Sequence, residues 1–328
     1  MLIQNLQEYI KDRYTPLEIE FLNKTSQYLS KDRRKIQKYC LDEWKQAMAE
    51  AIKIQEVENT ICAYMSISLL NTSMIDNNPQ LQIDFYNEEW VYGEPWARYR
   101  MNADFLFKYW KDFTFDALDE NYYVRSKVSK VEIKAMFWST IEKLIYMFTC
   151  HAKYFTLYLE YYNEFDDLVK AKNFYITCGT YLDWQERIAA ALPEIDFFNP
   201  DANEQTTWRP LRKKIYHYKE FNNLEMRHCR FVDCWFDNCT FGNINLTDAI
   251  FLRCRFTKTK FVSVSMVGSD FLECYFRDCE FDNCLTDPNE IKSDEYFAPA
   301  RMNHCFLLNH KVKNSKIDKI VKINCFEK

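Results

Sequence analysis

Glycine is scarce in this chain, which has only 4 Gly among 328 residues. Loops that hold nucleotide phosphates need residues that accept positive φ and let the ligand come close to the backbone. Neither G-x-G-x-x-G nor G-x-x-x-x-G-K-[ST] occurs in the sequence. The composition therefore argues against a nucleotide-binding enzyme.

Long apolar runs are also missing. No stretch approaches the roughly 18 apolar residues that a membrane-spanning helix requires. The N-terminus, MLIQNLQEYIKDRY, mixes charged and apolar residues and lacks the apolar core of a signal peptide. We therefore expect a cytoplasmic protein that does not bind a membrane.

Histidine and cysteine do not fall into the spacings of familiar sites. There are 5 His and 13 Cys, but H-E-x-x-H and the close C-x-x-C pairs of zinc sites do not occur. Cys150 and His151 are adjacent in a predicted helix, so their side chains diverge by about 100° and do not face one site. We expect no catalytic, cofactor or metal site, although an enzyme or small-ligand activity in the N-terminal region stays open as an alternative.

Phenylalanine and cysteine instead recur with a period of five. Large apolar residues occupy every fifth position from Phe221 to Phe281. Apart from Lys219, the residue two places before each is small or aliphatic, and cysteine holds this place at Cys229, Cys234, Cys239, Cys254, Cys274, Cys279 and Cys284. A period of five fits neither an α-helix nor a flat strand. These cysteines are interpreted as compact core residues.

The same region also repeats every twenty residues. Three of the four sets at this spacing consist of phenylalanine, and the fourth is Met226, Leu246 and Met266. Equivalent shapes stack on one another in a solenoid. The two periods together resemble the pentapeptide repeat family, whose pattern is roughly A-(D/N)-(L/F)-x-x. The resemblance covers residues of about 216–285 and implies a right-handed four-sided β-helix, with four pentapeptides in each coil.

The whole chain is predicted to be an α+β multidomain protein. We expect an all-α helical domain over residues 1–205, which caps the N-terminal end of the β-helix and in which we recognise no family. The β-helix follows over residues 206–285. Residues 286–328 are predicted to form a loop, a possible terminal coil and a C-terminal cap. Whether residues 305–317 add that coil is left open.

Apolar periodicity predicts the main helices of the first domain. Helices are expected over residues 30–58, with Ser30 as the N-cap, and over residues 130–162. A shorter helix is expected over residues 181–192, where Pro193 would end it. The less regular stretch over residues 79–95 fits a strand or a loop.

The outward positions of the β-helix predict an interaction surface. Two columns stand out: Val232, Leu252 and Leu272 on one side, and Trp235, Arg255 and Tyr275 on the next. The first would be an exposed apolar ladder, and the second places an arginine between two aromatic rings in a cation–π arrangement. Because exposed apolar patches mark contact surfaces, docking of the chain's own helical domain or tail is the first interpretation of the ladder. A protein partner or a homodimer is the alternative, and for the chain as a whole we expect a protein partner.

The charge distribution argues against nucleic-acid binding and against mimicry of DNA. Some members of the pentapeptide repeat family resemble B-form DNA and protect DNA gyrase, which requires a strongly negative rod. Residues 208–284 contain 12 Lys and Arg against 10 Asp and Glu, whereas residues 1–207 contain 23 against 32. No basic stripe suited to nucleic acid appears. The leading hypothesis is a non-enzymatic scaffold or adapter, with topoisomerase protection as an alternative.

Overall fold

The chain forms two compact units, Met1–Ala189 and Ala190–Lys328. A computed structural model describes residues 5–75, 78–119, 128–161, 164–193, 195–198, 206–290 and 298–328. Within these residues, no helix combines the length and the apolar character that crossing a membrane requires.

Helices form one part of the N-terminal unit. They are α1 (Leu6–Tyr9), a π-helical turn (Ile10–Tyr14), α2 (Thr15–Lys31), α3 (Arg33–Glu58), α4 (Asn71–Ile75), a 3-10 turn (Trp90–Tyr92), α5 (Trp110–Ala117) and α6 (Lys130–Tyr161). Helix α6 confirms the helix expected over residues 130–162, although Tyr162 lies outside the described residues. Helix α3 buries the predicted stripe, which includes Ile36, Cys40 and Trp44.

The start of α3 differs from the prediction. Asp32, and not Ser30, is the residue at its N-terminal boundary. Ser30 lies inside α2, because Phe21, Thr25 and Leu29 continue a buried stripe with four-residue spacing up to the end of that helix. The two helices are therefore separated by a single residue.

A five-stranded sheet makes the predicted all-α composition of the N-terminal domain wrong. The strands are β1 (Cys62–Leu69), β2 (Gln80–Tyr86), β3 (Ala97–Asn102), β4 (Lys170–Thr180) and β5 (Gln185–Ala191), and their order is β3-β2-β1-β4-β5. Strand β2 is antiparallel to β1 and β3, and β4 is parallel to β1. The unit is therefore α+β. In β1, Met65 and Ile67 alternate with Ser66 and Ser68, and such a period of two suits a strand and not a helix.

Strand β5 replaces the helix predicted over residues 181–192. Its sequence, QERIAAA, is rich in residues that favour helices in isolation. In the sheet, Ile188, Ala189 and Ala190 are buried beside β4, so tertiary contacts override the local preference. For residues 79–95, the structure resolves the alternatives in favour of a strand, β2, followed by the 3-10 turn.

The C-terminal unit consists of very short parallel strands. They are β6 (Pro210–Arg212), β7 (Ile215–His217), β8 (Glu220–Asn222), β9 (Arg230–Val232), β10 (Trp235–Asp237), β11 (Thr240–Gly242), β12 (Ile250–Leu252), β13 (Arg255–Thr257), β14 (Lys260–Val262), β15 (Asp270–Leu272), β16 (Tyr275–Arg277), β17 (Glu280–Asp282), β18 (Arg301–Asn303), β19 (Phe306–Leu308), β20 (Lys311–Lys313), β21 (Val321–Ile323) and β22 (Phe326–Glu327). They make three sheets, which form three sides of a four-sided coil. The fourth side is joined by single bridges from Glu225 through Asn245 and Ser265 to Leu285.

Identical side chains stack along the inside of these sheets, as the twenty-residue period predicts. The rings of Phe231 and Phe251 lie 4.4 Å apart, and those of Phe251 and Phe271 lie 4.7 Å apart. All three residues are fully buried. The pentapeptide-repeat β-helix is thus confirmed by its register, its core and its four sides.

The corners of the coil occur at every fifth residue and have a left-handed backbone conformation. Asp233, Arg253 and Glu273 have φ values of 53°, 52° and 55°. Such values cost energy for residues with a side chain. Each of these corner N–H groups donates to a carbonyl of the following coil, for example from Asp233 to Leu252 at 3.0 Å. The hydrogen bonds offset the strain.

The coil continues beyond the break in the repeat that follows Cys284, which answers the question about residues 305–317. Strands β18, β19 and β20 pair with β15, β16 and β17. Leu307 lies opposite Phe276 and is fully buried, and Ile317 is also buried. The step from Tyr275 to its partner Phe306 is longer than twenty residues, so the additional residues are an insertion that preserves the register.

Candidate interaction surface

One column of outward side chains runs along a whole side of the β-helix. The register pairs its members in order: Ile215, Trp235, Arg255, Tyr275, Phe306 and Phe326. They occupy the first position of β7, β10, β13, β16, β19 and β22, and in the first five of these strands the next side chain packs into the core. We call these six residues the aromatic column.

Most of the aromatic column is open to solvent. Ile215 is 60% exposed, Trp235 is 40% exposed, and Phe306 and Phe326 are each 51% exposed. Tyr275 is half-buried. Exposed apolar side chains that lie in one continuous line are uncommon on a protein that has no partner for them.

Arg255 places a positive charge near the middle of this column. Its guanidinium carbon lies 5.7 Å from the centre of the Trp235 ring, which confirms the predicted cation–π contact on that side. The side chain is exposed. Among the described residues, the structure records no carboxylate paired with it. Its charge is therefore available to a carboxylate from another molecule.

A groove of about 910 Å³ extends from the column to the neighbouring corner. Its lining residues are Lys213, Ile215, Asp233, Cys234, Trp235, Arg253, Cys254, Arg255, Thr257, Glu273, Tyr275 and Arg277. Arg253 forms an ion pair with Asp233 at 3.1 Å. The lining contains four basic and two acidic side chains, so an acidic partner is favoured electrostatically.

The predicted ladder on the preceding side is not exposed. Val232 is 1% exposed, Leu252 is 2% exposed, and Leu272 is half-buried. An outward direction from the coil therefore does not guarantee contact with solvent. The expectation that these three residues form an exposed apolar surface is therefore wrong, and the aromatic column is the surface that remains.

Sequence reasoning missed half of the aromatic column. Ile215, Phe306 and Phe326 were not among the predicted surface residues. A step of twenty back from Trp235 reaches Ile215, so that signal was present. Phe306 and Phe326 follow the insertion, and their positions in the column depend on its length, which the repeat does not specify.

The cysteines inside this side form a second column. They are Cys234, Cys254, Cys274, Cys305 and Cys325. The thiol of Cys254 donates to the carbonyl of Phe231 at 3.4 Å, and that of Cys274 to the carbonyl of Phe251 at 3.4 Å. Burial raises the pKa of Cys254 well above its ordinary value. The first four thiols are buried core groups, and Cys325 is only partly buried.

The described part of the chain contains no group of three or more His, Cys, Asp or Glu side chains arranged to hold a metal ion. All thirteen cysteines are free thiols. Cys150 is exposed on α6, while the ring of His151 lies 6.2 Å from that of Phe155.

Comparisons with known proteins found a family model and several solved structures. A family model described as the SV2A/B/C luminal domain matches residues 209–281. No curated protein matches the chain. Similar solved structures include QnrB1, a plasmid-mediated fluoroquinolone resistance protein, at 12% identity, 37% of this chain, 84% of that chain and a TM-score of 0.25. Another is the pentapeptide repeat protein Rfr23 from the cyanobacterium Cyanothece 51142, at 9% identity, 36% of this chain, 88% of that chain and a TM-score of 0.24.

Proposed function

We propose that this protein is a non-enzymatic interaction module, and that its β-helix binds an amphipathic helix of a protein partner along the aromatic column. The observation that carries the proposal is the line of exposed apolar side chains at Ile215, Trp235, Phe306 and Phe326. Burying such side chains against a partner removes apolar surface from water, at about 25 cal/mol for each Å².

The spacing of the column favours a helix as the bound element. Neighbouring rungs of a parallel sheet lie about 4.8 Å apart, and successive turns of an α-helix lie about 5.4 Å apart. A bound strand would present one side chain to the column about every 6.6 Å. Its side chains would therefore no longer lie opposite the column residues after two rungs. The six rungs span about 24 Å, which corresponds to a helix of about 16 residues.

Arg255 indicates which type of side chain the bound helix should carry near its centre. An acidic side chain within the apolar stripe would pair with the guanidinium between Trp235 and Tyr275. A second copy of this chain fits less well, because a twofold axis through this rung would bring two Arg255 side chains together. We therefore favour a different protein over a homodimer.

Capture of the partner by the tagged full-length protein tests this proposal. Trp235→Glu and Phe306→Glu should each abolish capture, because a carboxylate would replace an apolar contact. Val262→Glu is the matched control, since Val262 is 37% exposed on a different side, and it should retain the partner. Photo-crosslinking from position 275 should then label a helical segment with an acidic residue in its apolar stripe. Retention by both column variants, or labelling of a non-helical segment, would refute the proposal.

Two further aspects of the function rest on charge and cysteine content. The near balance of charge over residues 208–284 argues against imitation of DNA, which needs a strongly acidic rod. Thirteen free thiols are suited to a reducing compartment, so we place the protein in the cytoplasm.

A further inference from the structure

The five-stranded sheet of the N-terminal unit has one polar face. Ser66, Ser68, Gln82, Asp84 and Thr177 are all at most 3% exposed. Burying polar groups is costly unless they are hydrogen-bonded. Several are: Thr177 and Ser66 join through their hydroxyls at 2.9 Å, and Gln82 donates to Asp84 at 2.9 Å. This face is an ordered polar network.

One end of this face opens into a cavity of about 330 Å³. That volume lies within the range of small-molecule sites. Its lining residues are Leu70, Thr72, Ser73, Asn78, Gln80, Gln82, Arg98, Arg100 and Tyr181. Two of these side chains are basic and none is acidic.

The two arginines extend from the edge strand β3 on the same side of the sheet. They are two residues apart, so their Cα atoms lie about 6.6 Å apart. Arg98 donates to the buried carboxylate of Asp84 at 3.0 Å, which neutralises its charge. Arg100 donates to the neutral side-chain oxygen of Gln82 at 3.1 Å. The structure records no carboxylate partner for Arg100 among the described residues.

The cavity therefore combines an uncompensated guanidinium with further hydrogen-bond donors. The Tyr181 hydroxyl lies 3.5 Å from Arg98, and Thr72 and Asn78 add exposed polar side chains at the rim. Gln82 orients Arg100 through the Nε–H, which leaves its terminal nitrogens for a planar oxyanion.

We propose that this cavity binds a small organic anion, with its phosphate or carboxylate group held by Arg100 and supported by Arg98. Asp84 positions Arg98, and Gln82 positions Arg100. The site lies wholly within the N-terminal unit and does not depend on the aromatic column.

Thermal unfolding and calorimetric titration of the full-length protein test the site, with inorganic phosphate and citrate as probes at constant ionic strength. At least one probe should raise the melting temperature in a saturable way. Arg100→Gln should weaken its binding at least about tenfold, as expected for the loss of a charged hydrogen bond, and Arg100→Lys should restore part of it. Arg277→Gln, an exposed arginine in the other unit, should bind as the unaltered protein does.

The responses to phosphate and to citrate distinguish the two kinds of anionic group that the arginines could bind. A larger effect of phosphate would indicate a phosphorylated ligand, and a larger effect of citrate a carboxylate ligand. The proposal would be overturned if neither probe acted beyond sodium chloride, or if Arg100→Gln bound them equally well. The melting temperature without a probe shows whether each variant is folded, and Arg100→Lys provides the test if Arg100→Gln is not.

Discussion

The two units of this chain build their cores from different kinds of neighbour. In the β-helix, a buried residue contacts its own equivalents one coil away, as the stack of Phe231, Phe251 and Phe271 shows. In the N-terminal unit, contacts join unlike residues from distant parts of the chain, such as Tyr14 and Thr140, whose hydroxyls lie 2.7 Å apart. A repeat core is therefore specified by local spacing, whereas the other core depends on long-range pairing.

Phe251→Ala should give the largest effect, because it removes a ring from the middle of a stack. We expect the free energy of unfolding to fall by about 3–5 kcal/mol, measured by urea denaturation. The matched control is Phe306→Ala, which deletes the same atoms from a side chain that is 51% exposed. It should cost less than about 1 kcal/mol. Equal losses would mean that the assignment of inward and outward positions is wrong.

The reactivity of the thiols provides a second comparison of the two units. Cys254 is fully buried and burial raises its pKa, while Cys150 of the N-terminal unit is exposed. Because the thiolate is the reactive form, alkylation of the native protein should modify Cys254 at least about a hundredfold more slowly than Cys150. Mass spectrometry at successive times measures both rates. Comparable rates would show that the cysteine column is open to solvent.

The smallest effect is expected at the ion pair between Glu280 and Lys313, which lies on the surface of the β-helix. The hydrogen bond from Lys313, followed by its charge, lowers the pKa of Glu280. A carboxyl group with a lowered folded-state pKa stabilises the fold above its unfolded pKa of about 4.3, and this contribution is lost as the pH falls through the folded value.

Glu280→Gln should therefore make the melting temperature slightly less sensitive to acid below about pH 4. The change is small because exposed ion pairs contribute little. Glu220→Gln, at the equivalent position of an earlier strand, is the control. A variant curve parallel to that of the unaltered protein would exclude the contribution.

The sequence predicts those parts of the structure in which the contacts follow a regular residue spacing. The inward residues from Phe221 to Phe281 could be named from spacing alone, and so could Trp235, Arg255 and Tyr275 of the surface. The burial of Val232 and Leu252 could not, because a repeat gives the direction of a side chain and not its exposure.

Among the strands of the N-terminal unit, β1 has a recognisable strand pattern in its sequence and β5 does not. Strand β1, CAYMSISL, alternates apolar residues with polar or aromatic ones, so its period of two was available in the sequence. Strand β5 was not accessible in this way, because its alanines and charged residues favour a helix until β4 is beside it. Arg100 gave no signal, since its role depends on the cavity.

The equivalence of the coils has a consequence for how this protein can change over generations. Removing residues 245–264 would join Ile244 to Ser265 without a break in the five-residue pattern. Phe236 would then meet Phe276, and Trp235 would meet Tyr275 with no arginine between them. A deletion or duplication of sixty nucleotides thus alters the length of the rod by one step while preserving its interior. The length of the rod and the charge on its surface therefore depend on how many coils the gene encodes.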